Sequence, residues 1–478
     1  MIRLSILSLV LGMVGAEAKP PNVVVILTDD QGYADISFNP DHPQEVATPH
    51  MDALASEGIF FTQAYTSGAV CSPTRAGLML GLYQQRLGIY TAGDGGRGFD
   101  PRIKIFPSFL PDDYTSMVVG KWHMGLDMDY PKLSMHALNR GFKECYKFMG
   151  RGGHDYFKLL GVKGTEYAPI YRNKTRLKED AYSGYLTTRL TEEAVAFIDR
   201  QKQNQFFLYL AYNAVHAPAQ APKEDIERMQ KRYPHLEKKR AILMAMLEHL
   251  DNGVGAVINT LKANGLWENT LLFFLTDNGG AKAMQANNGR LRAFKGSLYE
   301  GGIRTPWIVS WPAKFKGGRT VDQPVISLDI LPTVVEATGT GRLAKRRFDG
   351  KSLLPLLAGK STQHHPVLYW NSGEEKDEWA VREGNWKAHS LRNKLELFDL
   401  ANDPSEKTNI AAKHPKLVKR LVKRHNDWQA EMHRSAVEYG LAKSKQKAAS
   451  VKPSARELKR DQKRAERRKA RQKTKQSK

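Results

Sequence analysis

"NVVVILTDDQG", residues 22–32, sets an unbroken apolar run, Val23 to Leu27, against Thr28-Asp29-Asp30 and a glycine turn. The device returns three times. "TSMVVGKWHMG" (residues 115–125) ends its run, Met117 to Val119, in Gly120-Lys121-Trp122-His123. "QFFLYLAYNAVHAP" (205–218) runs from Phe206 to Tyr212 and reaches His216, and "NTLLFFLTDNGG" (269–280) runs from Leu271 to Leu275 into Thr276-Asp277-Asn278-Gly279. Short apolar runs bounded by turn residues predict strands buried on both faces of a largely parallel sheet. Helical patterns lie between them, at Asp52 to Gly58 and at Lys238 to Ala263 before Asn264-Gly265. Strands alternating with helices indicate an α/β sandwich, and such sheets bind ligands just beyond the carboxyl ends of their strands. All four polar endings fall there.

The first and last runs echo each other, L-T-D-D-x-G and L-T-D-N-G-G. If the two strands are close, Asp29, Asp30, Asp277 and Asn278 offer hard oxygen ligands to one point. That chemistry suits Ca²⁺, or Mg²⁺ with retained water, better than zinc. Taken singly, each of these residues reads equally well as a turn former or helix cap. Lys121 and His123 are two apart, so on an extended segment both enter one pocket. His216 and Lys295, the latter in the Gly-rich "RAFKGSLYEGGIRTP", are ambiguous alone.

"GAVCSPTRAGLMLGL" (68–82) holds Cys71, one of only two cysteines. Pro73 fits the first turn of a helix, which places Cys71 at a helix N-terminus where negative charge is favoured, with Arg75 one turn on. One reading is a thiolate nucleophile of lowered pKa. A disulfide between Cys71 and Cys145 is disfavoured, because one bridge adds little to a chain this long and the two contexts share nothing.

C-S-P-T-R followed by A-G resembles the signature of the type I sulfatases, in the alkaline phosphatase-like superfamily. The resemblance runs from about Pro20 to Ala411 through "TDDQG", "ATPHMDALASEGIFFTQAY", "GKWHMG", "VHAP", "TDNGG", "KGSLYEGGIRTPWI" and "LELFDLANDPSEKTNIA". C-x-P-x-R alone is weakly specific; the ordered set is highly specific. The resemblance implies an α/β sandwich with a large, mostly parallel mixed sheet between helices, plus a small C-terminal antiparallel sheet with a helix.

It also implies conversion of Cys71 into Cα-formylglycine by a maturation enzyme. One Ca²⁺ would be held by Asp29, Asp30, Asp277, Asn278 and the modified Cys71. Arg75 and Lys121 would hold the hydrated aldehyde and the sulfate oxygens, His123 would bond the formylglycine hydroxyl, and His216 and Lys295 would contact the sulfate and the departing oxygen. The implied activity is hydrolysis of a sulfate monoester, with a sulfated sugar as natural substrate and aryl sulfates as artificial ones. Rival readings are a phosphodiester or phosphonate monoester hydrolase of the same superfamily, and a non-catalytic polyanion-binding protein.

The remaining sequence frames this core. Arg3, the apolar Leu4 to Val14 and Ala16-Glu17-Ala18 read as a signal peptide over residues 1–18, which implies export to the periplasm or medium. That run falls short of the roughly 20 residues that span a bilayer, and no later stretch is expected to span one. A catalytic domain is expected over 19–362 and a smaller one over 363–442, where "HPVLYW", "EWAVREGNWKAH" and "KLELFDL" read as antiparallel strands and Pro415 to Met432 as a helix. Residues 443–478 carry 16 Lys or Arg against 3 acidic residues, more than half of the formal +23. Such a tail cannot bury a core and suits polyanions; without aromatic residues it does not suit specific nucleic-acid recognition. Asp94, Arg97, His154 and Asp155 are candidates for substrate subsites in two glycine-rich loops, and Asn173-Lys174-Thr175 is a sequon that a bacterial source would leave bare.

Overall fold

The computed structural model describes residues 19–125, 134–148, 153–159, 169–341, 346–373 and 376–438. The signal peptide, the basic tail and part of the second candidate subsite loop (residues 150–152) lie outside the described residues.

A ten-stranded mixed sheet forms the centre. Its order is Arg319–Val321, Ile59–Phe61, Trp307–Ser310, Thr270–Thr276, Asn22–Thr28, Phe206–Ala211, Thr115–Lys121, Glu144–Phe148, Tyr171–Arg172 and Thr175–Arg176. The four strands read from the sequence are therefore four consecutive neighbours, and all of them pair in parallel. Antiparallel pairs enter on both sides of this block, and the edge strand Arg319–Val321 pairs in parallel with Ile59–Phe61.

Burial on both faces explains the continuous apolar runs. Val24 and Ile26 face one core with Leu208, Leu210, Leu272 and Phe274, covered by the helices Pro49–Glu57, Leu186–Arg200 and Lys238–Ala263. Val23, Val25 and Leu27 face the other core with Phe207, Tyr209, Phe273 and Leu275, covered by Cys71–Leu80 and Ile330–Ala337. The helix Lys238–Ala263 corrects one expectation, because its length and composition are sufficient to cross a membrane. Most of it is buried against the sheet, as befits a core helix.

Cys145 is the second residue of the parallel strand Glu144–Phe148, level with Val118 in the neighbouring strand, and both thiols are free. Asn173 spends its side-chain oxygen on the Cys145 amide.

A second, four-stranded antiparallel sheet comprises Val367–Asn371, Glu378–Glu383, Trp386–Leu391 and Lys394–Asp399, and the helix Pro415–Glu438 packs on it. The chain enters this sheet past Asp329, a buried carboxylate that the sequence reading did not single out. One Asp329 oxygen accepts from the Ile326 amide and faces His364 Nε2 at 3.1 Å; the other accepts from the Lys351 amide and faces His365 Nε2 at 2.7 Å. These three side chains lie close enough to share a metal ion, but the four hydrogen bonds already occupy the carboxylate's lone pairs.

Although burial pushes the Asp329 carboxyl up, His365 and His364 hold it below its ordinary value. Its stabilising contribution is thus present above the unfolded-chain value of about 4 and lost as pH falls through the depressed folded value. Asp329→Asn is expected to lower stability at neutral pH by about 3–5 kcal/mol and to flatten the acid limb of the stability profile. Urea unfolding at several pH values measures both; an unchanged acid limb counts against the assignment.

Candidate active site

The in-register pairing of Asn22–Thr28 with Thr270–Thr276 sets Thr28 beside Thr276, so Asp29 and Asp277 leave the sheet side by side. The Asp277 amide donates to Thr28 O at 3.1 Å. Asp30 has φ 61°, a left-handed conformation that Asp tolerates, and its Oδ1 accepts from Asn278 Nδ2 at 2.8 Å. The two echoing motifs thus form one site.

Cys71 opens the helix Cys71–Leu80, as its sequence context implied, after an extended Val70. Its Sγ and the carboxylate oxygens of Asp29 and Asp277 lie within 4.8 Å of one another. Arg75, fully buried, donates through Nε to Asp277 Oδ2 at 2.9 Å and through Nη1 to Lys121 O at 2.6 Å. Its Nη2 stands 2.8 Å from Asp277 and 3.5 Å from Asp29. Lys121 Nζ pairs with Asp29 Oδ2. Across the site Lys295 Nζ lies 2.5 Å from Asp30 Oδ1, and His216 Nε2 lies 3.6 Å from Asp30 Oδ2.

His123 arrives by a route the sequence did not show. The strand ends at Lys121, and His123 has φ 54°, so no extended segment aligns the two side chains. The imidazole is nevertheless buried within the field of Lys121 and Arg75. Ser72 Oγ donates to His123 O at 2.7 Å and ties this turn to the Cys71 helix. Nothing in the sequence distinguished Ser72 for that task.

The donor set fits a hard cation. Asp29 Oδ1, Asp277 Oδ1 and Asn278 Oδ1 are buried, and none has a hydrogen-bond partner. Orphaned buried oxygens of this kind are costly. Three of them, following two neighbouring strands, match the oxygen-rich coordination of Ca²⁺ or Mg²⁺.

The protonation pattern agrees. Burial pushes Asp29 up, but Lys121, His216, Arg75 and Lys295 hold it well below the usual carboxylate range. Asp277 is pushed up by burial and by the neighbouring Asp29 charge. Burial alone would lower Lys295, yet Cys71, Asp30 and Asp29 raise it, so it stays a cation. Burial, with Lys121 and Arg75, pulls His123 well below its ordinary value and leaves a neutral ring. The thiolate reading fails here: burial pushes the Cys71 thiol up despite Lys121 and Lys295.

Three of the four subsite candidates have structural work. Asp94 forms a capping box with Thr91 at the start of the helix Ala92–Arg97. His154 is buried, its ring nitrogens facing Asp155 O and Leu159 O. Asp155 accepts from the amides of Phe157 and Lys158 and from Gln220 Nε2. Arg97 remains, with a side chain 72% exposed. Tyr156, which the sequence reading passed over, donates its hydroxyl between Asn213 O and His216 O, each at 2.8 Å, and steadies the His216 turn.

Buried carboxylates suited to a cation, beside a cysteine that opens a helix and among the basic side chains Arg75, Lys121, Lys295, His123 and His216, make a site fitted to an anionic ester. Residues 21–340 match the Sulfatase family model, and the chain belongs to that family. Residues 292–431 match the model described as N-sulphoglucosamine sulphohydrolase, C-terminal. N-acetylgalactosamine-6-sulfatase of Canis lupus familiaris is 30% identical over 406 residues, 79% of this chain and 73% of that protein. Arylsulfatase A of Homo sapiens is 30% identical over 451 residues, 88% of this chain and 85% of that protein. A crystal structure of Ps i-CgsB in complex with k-i-k-neocarrahexaose is 32% identical with a TM-score of 0.77, covering 86% of this chain and 93% of that one.

Calcium added to chelator-treated protein is expected to stabilise it by about 2.7 kcal/mol at a hundredfold excess over Kd. Asn278→Ala, which removes one orphaned oxygen, should shrink that gain. Calorimetric scans with and without the ion test both; a wild-type melting temperature indifferent to calcium would refute the site.

Proposed function

We propose that this sulfatase hydrolyses sulfate monoesters carried on a sulfated sugar, with one Ca²⁺ held by Asp29, Asp30, Asp277, Asn278 and residue 71, and with Cys71 converted to Cα-formylglycine. One observation supports the reading above the rest: the Asp29 and Asp277 carboxylates, each with an orphaned oxygen, meet the Cys71 side chain beyond the carboxyl ends of neighbouring parallel strands. The sugar follows from the relatives' printed names, an N-acetylgalactosamine-6-sulfatase and a carrahexaose complex.

When bound, calcium supplies a Lewis acid that polarises sulfate oxygens. A formylglycine at position 71 supplies, as its hydrate, one hydroxyl to attack sulfur and a second to expel sulfate afterwards. The protein's own residues do the rest. Arg75 and Lys121 fix the carboxylates and present positive charge to the reacting centre. Lys295 adds charge where the non-bridging oxygens gain it, the largest expected catalytic contribution.

His216 keeps its Nδ1 2.7 Å from Ala217 O, so Nε2 is the nitrogen left for the leaving oxygen. Burial lowers its pKa, and a bound sulfate anion favours the protonated ring. Proton transfer from Nε2 to the sugar oxygen then completes departure. Neutral His123, with Nδ1 unpartnered, accepts the proton that release of sulfate requires.

The leader over residues 1–18 supports export to the periplasm or medium. Domains over 19–362 and 363–442 and a polyanion-adhering tail over 443–478 complete the proposal.

Cys71→Ala is expected to abolish turnover of p-nitrophenyl sulfate while the circular dichroism spectrum persists. Full activity in that variant, or an unaltered thiol in the residue-71 peptide of fully active enzyme, would overturn the mechanism. Parallel rates on phenylphosphonate separate a phosphonate hydrolase from a sulfatase.

His216→Ala should cost about 10²–10⁴-fold on a sugar sulfate, whose leaving oxygen needs a proton. It should cost far less on p-nitrophenyl sulfate. Equal losses on the two substrates would remove His216 from the role.

A further inference from the structure

Close approaches at three glycines mark the rim of the cleft. A Cβ at Gly95 would collide with Ser72 Oγ, so the Ala92–Arg97 helix lies on the residue after Cys71. A Cβ at Gly373 would stand 2.9 Å from Tyr90, just before that helix, and one at Gly296 would stand 3.4 Å from Lys376 Nζ. Gly296 follows Lys295, and its amide donates to Ala69 O at 2.7 Å, two residues from Cys71. Gly373 and Lys376, between the first two strands of the small sheet, therefore stand beside the cleft, with the Lys376 ammonium next to the Lys295 loop.

This ammonium differs from the others near the site. Arg75, Lys121 and Lys295 are each pinned to a carboxylate. Lys376 is 49% exposed, and its carboxylate neighbour, Glu378 Oε2, is 3.8 Å away. Glu378 is occupied through its other oxygen, which accepts from Ser297 Oγ, the Leu298 amide and His389 Nε2. The backbone presenting Lys376 is fixed: Asp377 N donates to Gly373 O at 3.0 Å, and Arg392 N to Asp377 O at 2.8 Å. A positioned, half-exposed and weakly compensated cation at the rim is suited to an anionic group of the substrate other than the one being cleaved.

We propose that Lys376 reads a second anionic group, a sulfate or a uronate carboxylate on the same or the adjoining sugar, so that a doubly charged saccharide is preferred to its singly charged counterpart. The inference rests on the sulfated-sugar reading above.

Isothermal titration of the calcium-loaded full chain tests it, using wild type, Lys376→Ala and Lys376→Arg. Three pairs of probes serve: glucosamine 6-sulfate against glucosamine-2-N,6-O-disulfate, κ- against ι-neocarra-oligosaccharide, and 6-sulfated N-acetylgalactosamine against its hexuronate-containing disaccharide. The first two pairs vary sulfate and the third varies carboxylate.

In at least one pair the wild type should favour the doubly charged member by about tenfold, equivalent to about 1.4 kcal/mol. The preference should vanish in Lys376→Ala and return in Lys376→Arg, while p-nitrophenyl sulfate hydrolysis is unchanged in both variants. Equal affinities in every wild-type pair, or a preference that survives Lys376→Ala, overturns the role of Lys376 and leaves the sulfatase reading intact. Failure to bind any sulfated sugar, with aryl sulfate still hydrolysed, overturns the sugar reading and this inference with it.

Discussion

Two neighbouring parallel strands in exact register are the constraint on which the site depends, because that pairing forces Asp29 and Asp277 together in a dry interior. Like charges at such separation repel strongly where the dielectric is low. The surroundings answer in two ways. Arg75 bridges the two carboxylates, and Lys121 takes the outer oxygen of Asp29. The oxygens Asp29 Oδ1 and Asp277 Oδ1 that these cations do not reach stay without a hydrogen-bond partner. The basic residues of the motifs therefore hold the cluster together.

The fold was legible wherever burial on both faces demanded an unbroken apolar run. All four site-bearing strands were readable for that reason, and so was the helix Lys238–Ala263, whose boundaries match its periodicity. The shorter partners were not: Ile59–Phe61, Arg319–Val321 and Tyr171–Arg172 are two or three residues long and owe their strand character to neighbours distant in sequence, while Thr175–Arg176 pairs with Tyr171–Arg172 across a two-residue turn. Apolar length also misled in one respect, since a core helix and a membrane span satisfy the same count.

The residue types of the site were legible because hard-oxygen and cationic groups at four strand ends have few joint explanations. Their orientation was not. His123 depends on a left-handed backbone that no side-chain pattern announces. Ser72, Tyr156 and Asp329 act on groups 35 to 60 residues away, a partnership that sequence spacing cannot express. Lys376 reads as an ordinary turn lysine until the Gly296 backbone is seen beside it.

Every residue of the helix Cys71–Leu80 is buried, its first member included. A second macromolecule that acted on side chain 71 would have to reach a stretch of chain that the closed sandwich withholds. The conversion proposed for Cys71 would therefore precede closure, during or soon after synthesis. A molecule that folded with its thiol unconverted would thereafter be sealed against repair, and the catalytic quality of a population would be set by a race between two events early in each chain's life.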